Sequence, residues 1–160
     1  MLLIGAAGLL VWGGDGEEES EQPDESERRV KANVLRVIDG DTIEVSIDGR
    51  AEDVRYIGVD TPESVTPGEP VECFGRRASA FNASLVEGRE VRLRFDRELR
   101  DDYGRLLAYV YAGSRLVNAE LLRRGYARTL SIAPNDSRAG AFTRLEAAAG
   151  RAGRGLWGEC

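Results

Sequence analysis

Three separated stretches of this chain put carboxylates and arginines where apolar runs end. In Ile38-Asp39-Gly40-Asp41-Thr42, two carboxylates stand two residues apart in a tight turn, with Gly40 free to take positive φ. In Arg55-Tyr56-Ile57-Gly58-Val59-Asp60-Thr61-Pro62-Glu63, an arginine lies inside an otherwise apolar strand. The two-residue period of a strand puts it on the face of Ile57 and Val59, so it is expected to be partly buried and to need anionic partners. Asp60 ends that run, and Glu63 follows a rigid Pro62. In Asp102-Tyr103-Gly104-Arg105, a glycine turn aims Arg105 at its surroundings. Singly, each has a plain reading: a turn, a structural Arg–Asp pair, a solvated hairpin. Together they supply a chemistry. Asp41, Asp60 and a backbone carbonyl form an oxygen set suited to calcium or magnesium. A divalent ion with two arginines neutralises the charge that builds on a pentavalent phosphate. Glu63 is a carboxylate able to take a proton from water.

The chain has no histidine. Ser-His-Asp triads, Cys-His nucleophiles and histidine zinc sites are therefore excluded, and two cysteines cannot make a four-Cys zinc site. Acid–base work falls to carboxylates, tyrosine or Lys31, the only lysine. The formal net charge of -6 opposes a phosphate-rich partner. Its distribution changes that reading. Of 28 acids and 22 bases, residues 1–30 hold 8 and 2, so 20 of each remain in residues 31–160. A formally neutral domain can still present a local positive cleft, and arginine offers a planar donor fork that matches phosphate oxygens.

The elements that must position these groups follow from periodicity. Leu2 to Trp12 is an apolar run too short to span a bilayer. Residues 1–13 are read as a truncated signal peptide or membrane-anchor remnant, and 14–30 as an acidic disordered linker. The globular domain is assigned to 31–160. Leu35 and Val37 alternate, as do Ile43, Val45 and Ile47, and Asp48-Gly49 signals a hairpin. A third strand passes through Val54 and Ile57, and a loop holding Pro62, Pro67 and Pro70 follows. Val71-Glu72-Cys73-Phe74 and the residues after it mark a helix start, with the helix over Phe74–Val86 and Gly88 as its stop. Further strands are predicted through Val91, Leu93 and Phe95 and over Arg105–Tyr111. Asn118 is expected to cap a helix over Ala119–Arg124, ended by Gly125. A last helix spans Arg138–Arg151. This order suits an α+β, mainly β, domain: a five-stranded closed barrel of the oligonucleotide-binding type with three helices.

The segments Ile38-Asp39-Gly40-Asp41-Thr42, Val59-Asp60-Thr61-Pro62-Glu63, Tyr103-Gly104-Arg105 and Val117-Asn118 with Leu121 resemble, in order and spacing, the signature segments of the thermonuclease (staphylococcal nuclease) family. The resemblance runs over roughly Val34 to Trp157. It implies a calcium ion held by Asp41, Asp60 and the carbonyl of Thr61. It implies Glu63 as the base that activates water, Arg55 and Arg105 on the scissile phosphate, Tyr103 as a hydrogen-bond donor to a phosphate, and Asp39 as a carboxylate near the metal. The implied activity is sugar-nonspecific cleavage of DNA and RNA, leaving 3′-phosphate and 5′-hydroxyl ends. A catalytically silent binding module on the same barrel is the alternative. Such modules usually lose the metal carboxylates, the glutamate or the arginines, all of which are present here.

Departures from the family's best-known member concern the grip on substrate. Its basic loop is here Pro67-Gly68-Glu69-Pro70, its lysine before Tyr-Gly-Arg is Asp102, and its two base-framing tyrosines align with Ser131 and Ala133. Cys73 and Cys160, the only cysteines, are expected to pair in an exported protein. The expected setting is secreted or surface-anchored. The expected partners are DNA and RNA, with membrane association through residues 2–12, no obligate protein partner and a monomeric state.

Overall fold

A computed structural model describes residues 29–64, 68 and 70–160. The readings of residues 1–13 and 14–30 fall outside these, apart from Arg29 and Val30. Those two open the first strand, ahead of Val34 where the apolar alternation sets in.

The elements in order are β1 (Arg29–Asp39), β2 (Thr42–Ile47), β3 (Arg50–Tyr56), β4 (Gly58–Asp60), α1 (Gly75–Val86), β5 (Glu90–Arg94), β6 (Leu106–Ala112), β7 (Arg115–Leu116), α2 (Val117–Arg124), β8 (Arg128–Leu130), α3 (Ala139–Arg151) and a single turn, α4 (Leu156–Glu159). Five strands run β3-β2-β1-β5-β6, and parallel pairing of β3 with β6 closes the barrel. The closing register sets Arg55 opposite Leu107. β4 and β8 form a separate antiparallel pair. The barrel with three principal helices is the oligonucleotide-binding fold expected from the order of elements.

In β2, β3, β5 and β6 the alternation read from sequence is the inside–outside alternation of the barrel. β1 corrects it: Ala32 and Val34 are buried while Leu35 is 52% exposed, the register shifting at a bulge between Val34 and Arg36. Ile43, Val45, Val54, Val91, Leu93, Ala108 and Val110 are buried, each contributing about 1.5–3 kcal/mol relative to exposure for the larger side chains. Asp48 and Gly49 both take positive φ (50° and 80°), as the tight β2–β3 hairpin requires. Gly40 corrects an expectation. It is absent from the left-handed region among the described residues. A Cβ there would meet Thr61 Oγ1 at 2.6 Å, so glycine is needed for close approach, not for the turn.

Asn118 corrects another. Leu116 occupies the N-cap of α2 and makes no side-chain cap bond. Asn118 is fully buried instead. Its Oδ1 accepts from Val110 N at 2.9 Å, and its Nδ2 donates to Ile57 O at 2.9 Å and Ala108 O at 3.4 Å. It braces β6 against the link between β3 and β4, where the arginine-bearing segment begins.

Cys73 and Cys160 form the expected disulfide, with their Cα atoms 6.0 Å apart. It ties α4 to the approach of α1. Among the described residues, no helix is long and apolar enough to cross a membrane.

Candidate functional site

The turn between β1 and β2 delivers Asp41, and the end of β4 delivers Asp60 and Thr61. β3 delivers Arg55 between them. The buried Asp41 carboxylate is fixed from several sides. Its Oδ2 accepts from Thr61 N at 2.8 Å and Thr61 Oγ1 at 3.0 Å, and its Oδ1 accepts from Thr42 Oγ1 at 3.0 Å. Arg55 Nη1 lies 2.6 Å from Asp41 Oδ2, and Arg55 Nη2 lies 2.8 Å from Asp60 Oδ1. The same guanidinium donates to Val59 O at 3.0 Å. The predicted partly buried arginine with anionic partners is thus present, its side chain 16% exposed against 55% for Asp60.

Asp39 and Glu63 join this group through Ser64. Asp39 Oδ1 accepts from Gly40 N at 2.7 Å and from Ser64 Oγ at 2.5 Å, while Ser64 N donates to Glu63 Oε1 at 2.9 Å. Glu63 N donates to Glu72 Oε2 at 2.8 Å, and Glu63 O accepts from Glu72 N at 2.9 Å. Burial pushes the Asp39 carboxyl above its ordinary range, the bonds from Ser64 and Gly40 oppose that, and the charges of Asp41 and Glu63 add to it. Asp60 is also raised, first by burial, with Arg55 opposing and Asp41 reinforcing. Four carboxylates therefore share a small region in which Arg55 is the direct counter-ion of two, Asp41 and Asp60.

Arg105 and Tyr103 come from the turn before β6. Asp101 fixes Arg105 twice, accepting from its backbone N at 2.9 Å and from Nε at 2.7 Å. The guanidinium carbon sits 5.3 Å from the centre of the Tyr103 ring, which is 85% exposed. Arg55, Tyr103 and Arg105 line one cleft of about 330 Å³. Asp41, Asp60, Thr61 and Glu63 do not line it; Asp41 and Asp60 meet it only through Arg55. Leu107, Leu130 and Ile132 form an apolar wall, and Glu98, Asp101 and Asp102 add acids. Neither Ser131 nor Ala133 is among the lining residues.

The oxygen donors Asp41, Asp60 and Thr61 O have the chemistry of a hard-cation site. Among the described residues, no three acidic or cysteine side chains form a ready-made cation cage. The expected set has only two carboxylates and a carbonyl, so waters or substrate oxygens must complete it. One oxygen of each carboxylate is engaged by Arg55; of the other two, Asp41 Oδ1 also accepts from Thr42 Oγ1.

Several positioning residues escaped the sequence reading. Asn82 is fully buried on α1. It donates to Asp39 O at 3.1 Å and accepts from Tyr56 OH at 2.9 Å. Its signal was available: it falls on the helical face of Ala78, Phe81 and Leu85, where an amide demands partners. Asp101, four residues before Arg105, was equally legible. Ser64 and Glu72 carry no local signal, because their roles depend on the return of the loop.

The family model described as "Staphylococcal nuclease homologue" matches residues 53–159. A protein named thermonuclease from Staphylococcus intermedius is 50% identical over 103 residues, covering 64% of this chain and 61% of the relative. The thermonuclease of Staphylococcus hyicus is 47% identical over 102 residues, covering 64% and 60%. Endonuclease YncB of Bacillus subtilis is 41% identical over 119 residues, covering 72% and 56%. The alignments thus take in about three fifths of the length of these relatives. The matched region begins after β2, so the placement of Asp39 and Asp41 rests on geometry. A match over more than half the chain, on a closed five-stranded barrel, makes this chain a member of the staphylococcal nuclease family.

Proposed function

We propose that this chain is a calcium-dependent, sugar-nonspecific nuclease that hydrolyses phosphodiester bonds of DNA and RNA to 3′-phosphate and 5′-hydroxyl ends. The observation that carries the reading is Arg55, clamped by Asp41 and Asp60 while it shares a cleft with Arg105. Two guanidiniums fixed in advance at one cleft match the oxygens of a phosphodiester and need little reorganisation as charge develops. Relatives named thermonuclease and endonuclease support the same activity.

In this mechanism Arg55 and Arg105 bind the non-bridging oxygens of the scissile phosphate, and Tyr103 donates to a phosphate oxygen. Glu63 takes one proton from the attacking water as the new P–O bond forms. The bond to the 5′ oxygen breaks, and that oxygen is protonated from solvent. Asp41, Asp60 and the Thr61 carbonyl would hold calcium, which when bound supplies positive charge against the phosphate. Asp39, braced by Asn82 and Ser64, keeps the turn that presents Asp41.

The disulfide supports secretion or surface exposure, since such bonds persist in oxidising compartments. The test of the chemistry is Glu63→Gln on denatured DNA. Activity is expected to fall by about 10²- to 10⁴-fold, the usual contribution of a general base, with an unchanged circular dichroism spectrum. Turnover equal to wild type removes Glu63 as the base.

A further inference from the structure

A second groove lies outside the cleft just described. It has a volume of about 780 Å³ and is lined by Phe74, Tyr126 and four arginines, Arg77, Arg123, Arg124 and Arg154, with Glu159 its one acidic side chain. The arginines come from distant parts of the sequence and are gathered by backbone contact. Gly125, in the left-handed conformation, ends α2 after Arg123 and Arg124. Leu156 N donates to Gly125 O at 2.9 Å, which brings Arg154 alongside. A Cβ on Gly125 would lie 2.2 Å from Arg154 O, so this approach needs glycine. Arg154 Nη1 donates to Arg123 O at 3.2 Å.

The charges here are weakly neutralised. Arg77 pairs with Glu159 and Arg123 with Glu120. Among the described residues, Arg124 makes no side-chain hydrogen bond or ion pair, and Arg154 has no acidic partner. The lining therefore carries a formal excess of three positive charges, whereas the active cleft sets Arg55 and Arg105 against Glu98, Asp101 and Asp102. The aromatic pair adds a second feature. Phe74 takes φ 73°, a genuine outlier for a bulky residue. That conformation accompanies a ring 5.1 Å from Tyr126 and beneath the Arg77 guanidinium at 5.2 Å. Tyr126 is itself stacked on Phe81, centroids 4.3 Å apart, so the rings form the floor of the groove and the arginines supply its attraction for the phosphates of a strand.

The groove also begins beside the active site. Glu63 and Glu72 are joined by two hydrogen bonds, and Cys73 and Phe74 follow directly. Gly75, next in the chain, packs on the Glu63 carbonyl, where a Cβ would lie 2.5 Å from the oxygen.

We propose that this groove is a polynucleotide exosite that binds the sugar–phosphate backbone of a single strand beyond the phosphodiester being cut. The proposal rests on the nuclease reading for the identity of the strand, but its test reads binding alone. The probe is a fluorescent single-stranded DNA 30-mer, titrated by anisotropy in excess chelator against the full chain and against Arg124→Gln with Arg154→Gln. Affinity is expected to fall roughly tenfold, and the slope of log K against log salt to shrink by about 1.4, or about 0.7 for each single-strand phosphate that an arginine no longer neutralises. Cutting of a dinucleotide, too short to reach the groove, is expected to be unchanged. Equal affinity and equal salt slope in wild type and variant overturn the exosite. So does a variant that loses binding to anionic phospholipid vesicles while keeping DNA affinity, which assigns the groove to a membrane surface. Failure of the wild type to cut the dinucleotide counts against the nuclease reading and leaves the anisotropy result to decide the groove.

Discussion

In the cleft, Arg55 is gripped by Asp41 and Asp60 and Arg105 by Asp101; in the groove at the C-terminal end of α2, Arg124 and Arg154 have no acidic partner among the described residues. The difference shows what acids do for a base at each place. Around the cleft, carboxylates fix the direction of each guanidinium, which gives up net attraction for a polyanion in return for geometry. In the groove, Arg124 and Arg154 have no carboxylate against them and keep their field. Transition-state stabilisation depends on direction, whereas backbone attraction depends on charge and falls with salt. A domain with 20 acids and 20 bases can serve both needs only by separating them on its surface.

The most severe way to break the cleft's side of this comparison is Asp41→Ala or Asp60→Ala. Each removes an expected calcium ligand and half of the Arg55 clamp, so each is expected to abolish metal-dependent cutting in a gel assay. Retained cutting in either variant would mean that Arg55 needs no such partner. The groove's frame is tested next by Cys73→Ser with Cys160→Ser. The bridged residues are 87 apart in sequence. Loss of the bond is expected to lower unfolding free energy by about 4 kcal/mol in the chain-entropy account, measured by urea denaturation under oxidising conditions. A midpoint unchanged from wild type would show that the C-terminal turn is held without it. The smallest effect concerns the cleft wall, where Leu130 and Ile132 stand and Ser131 and Ala133 do not. Ser131 and Ala133 are chain neighbours of the lining residues Leu130 and Ile132, and rings added there are expected to extend that wall, so that Ser131→Tyr with Ala133→Tyr tightens calorimetric binding of a nucleoside bisphosphate in calcium by about 1–3 kcal/mol per stacked base. Wild-type binding as tight as that of the variant would show that base stacking is supplied elsewhere.

The residues nearest to chemistry were the most legible. Arg55 stood out because a charged side chain beside the apolar run Tyr56-Ile57-Gly58-Val59 must find anions, and it does, although the strand that carries it, β3, ends at Tyr56 and is itself largely polar. The barrel strands followed from alternation, and the disulfide from there being only two cysteines. Asn118 was misread because asparagine before a helix usually caps it; here three partners from two other segments claim the side chain. Gly40 was misread because local sequence shows a turn, not the Thr61 side chain packed against it. The basic groove was invisible for the same physical reason. Arg123 and Arg154 are 31 residues apart and are brought together by the Gly125–Leu156 backbone contact, which no local pattern encodes.

The proposed chemistry is hydrolysis by an oxygen-liganded cation site together with two fixed arginines. Its most direct test is the cutting of denatured DNA by the purified chain in calcium, followed in the same preparation by excess chelator. Fragments bearing 3′-phosphates are expected in calcium and none once calcium is removed. Intact DNA in calcium, or cutting that continues undiminished in excess chelator, would contradict it.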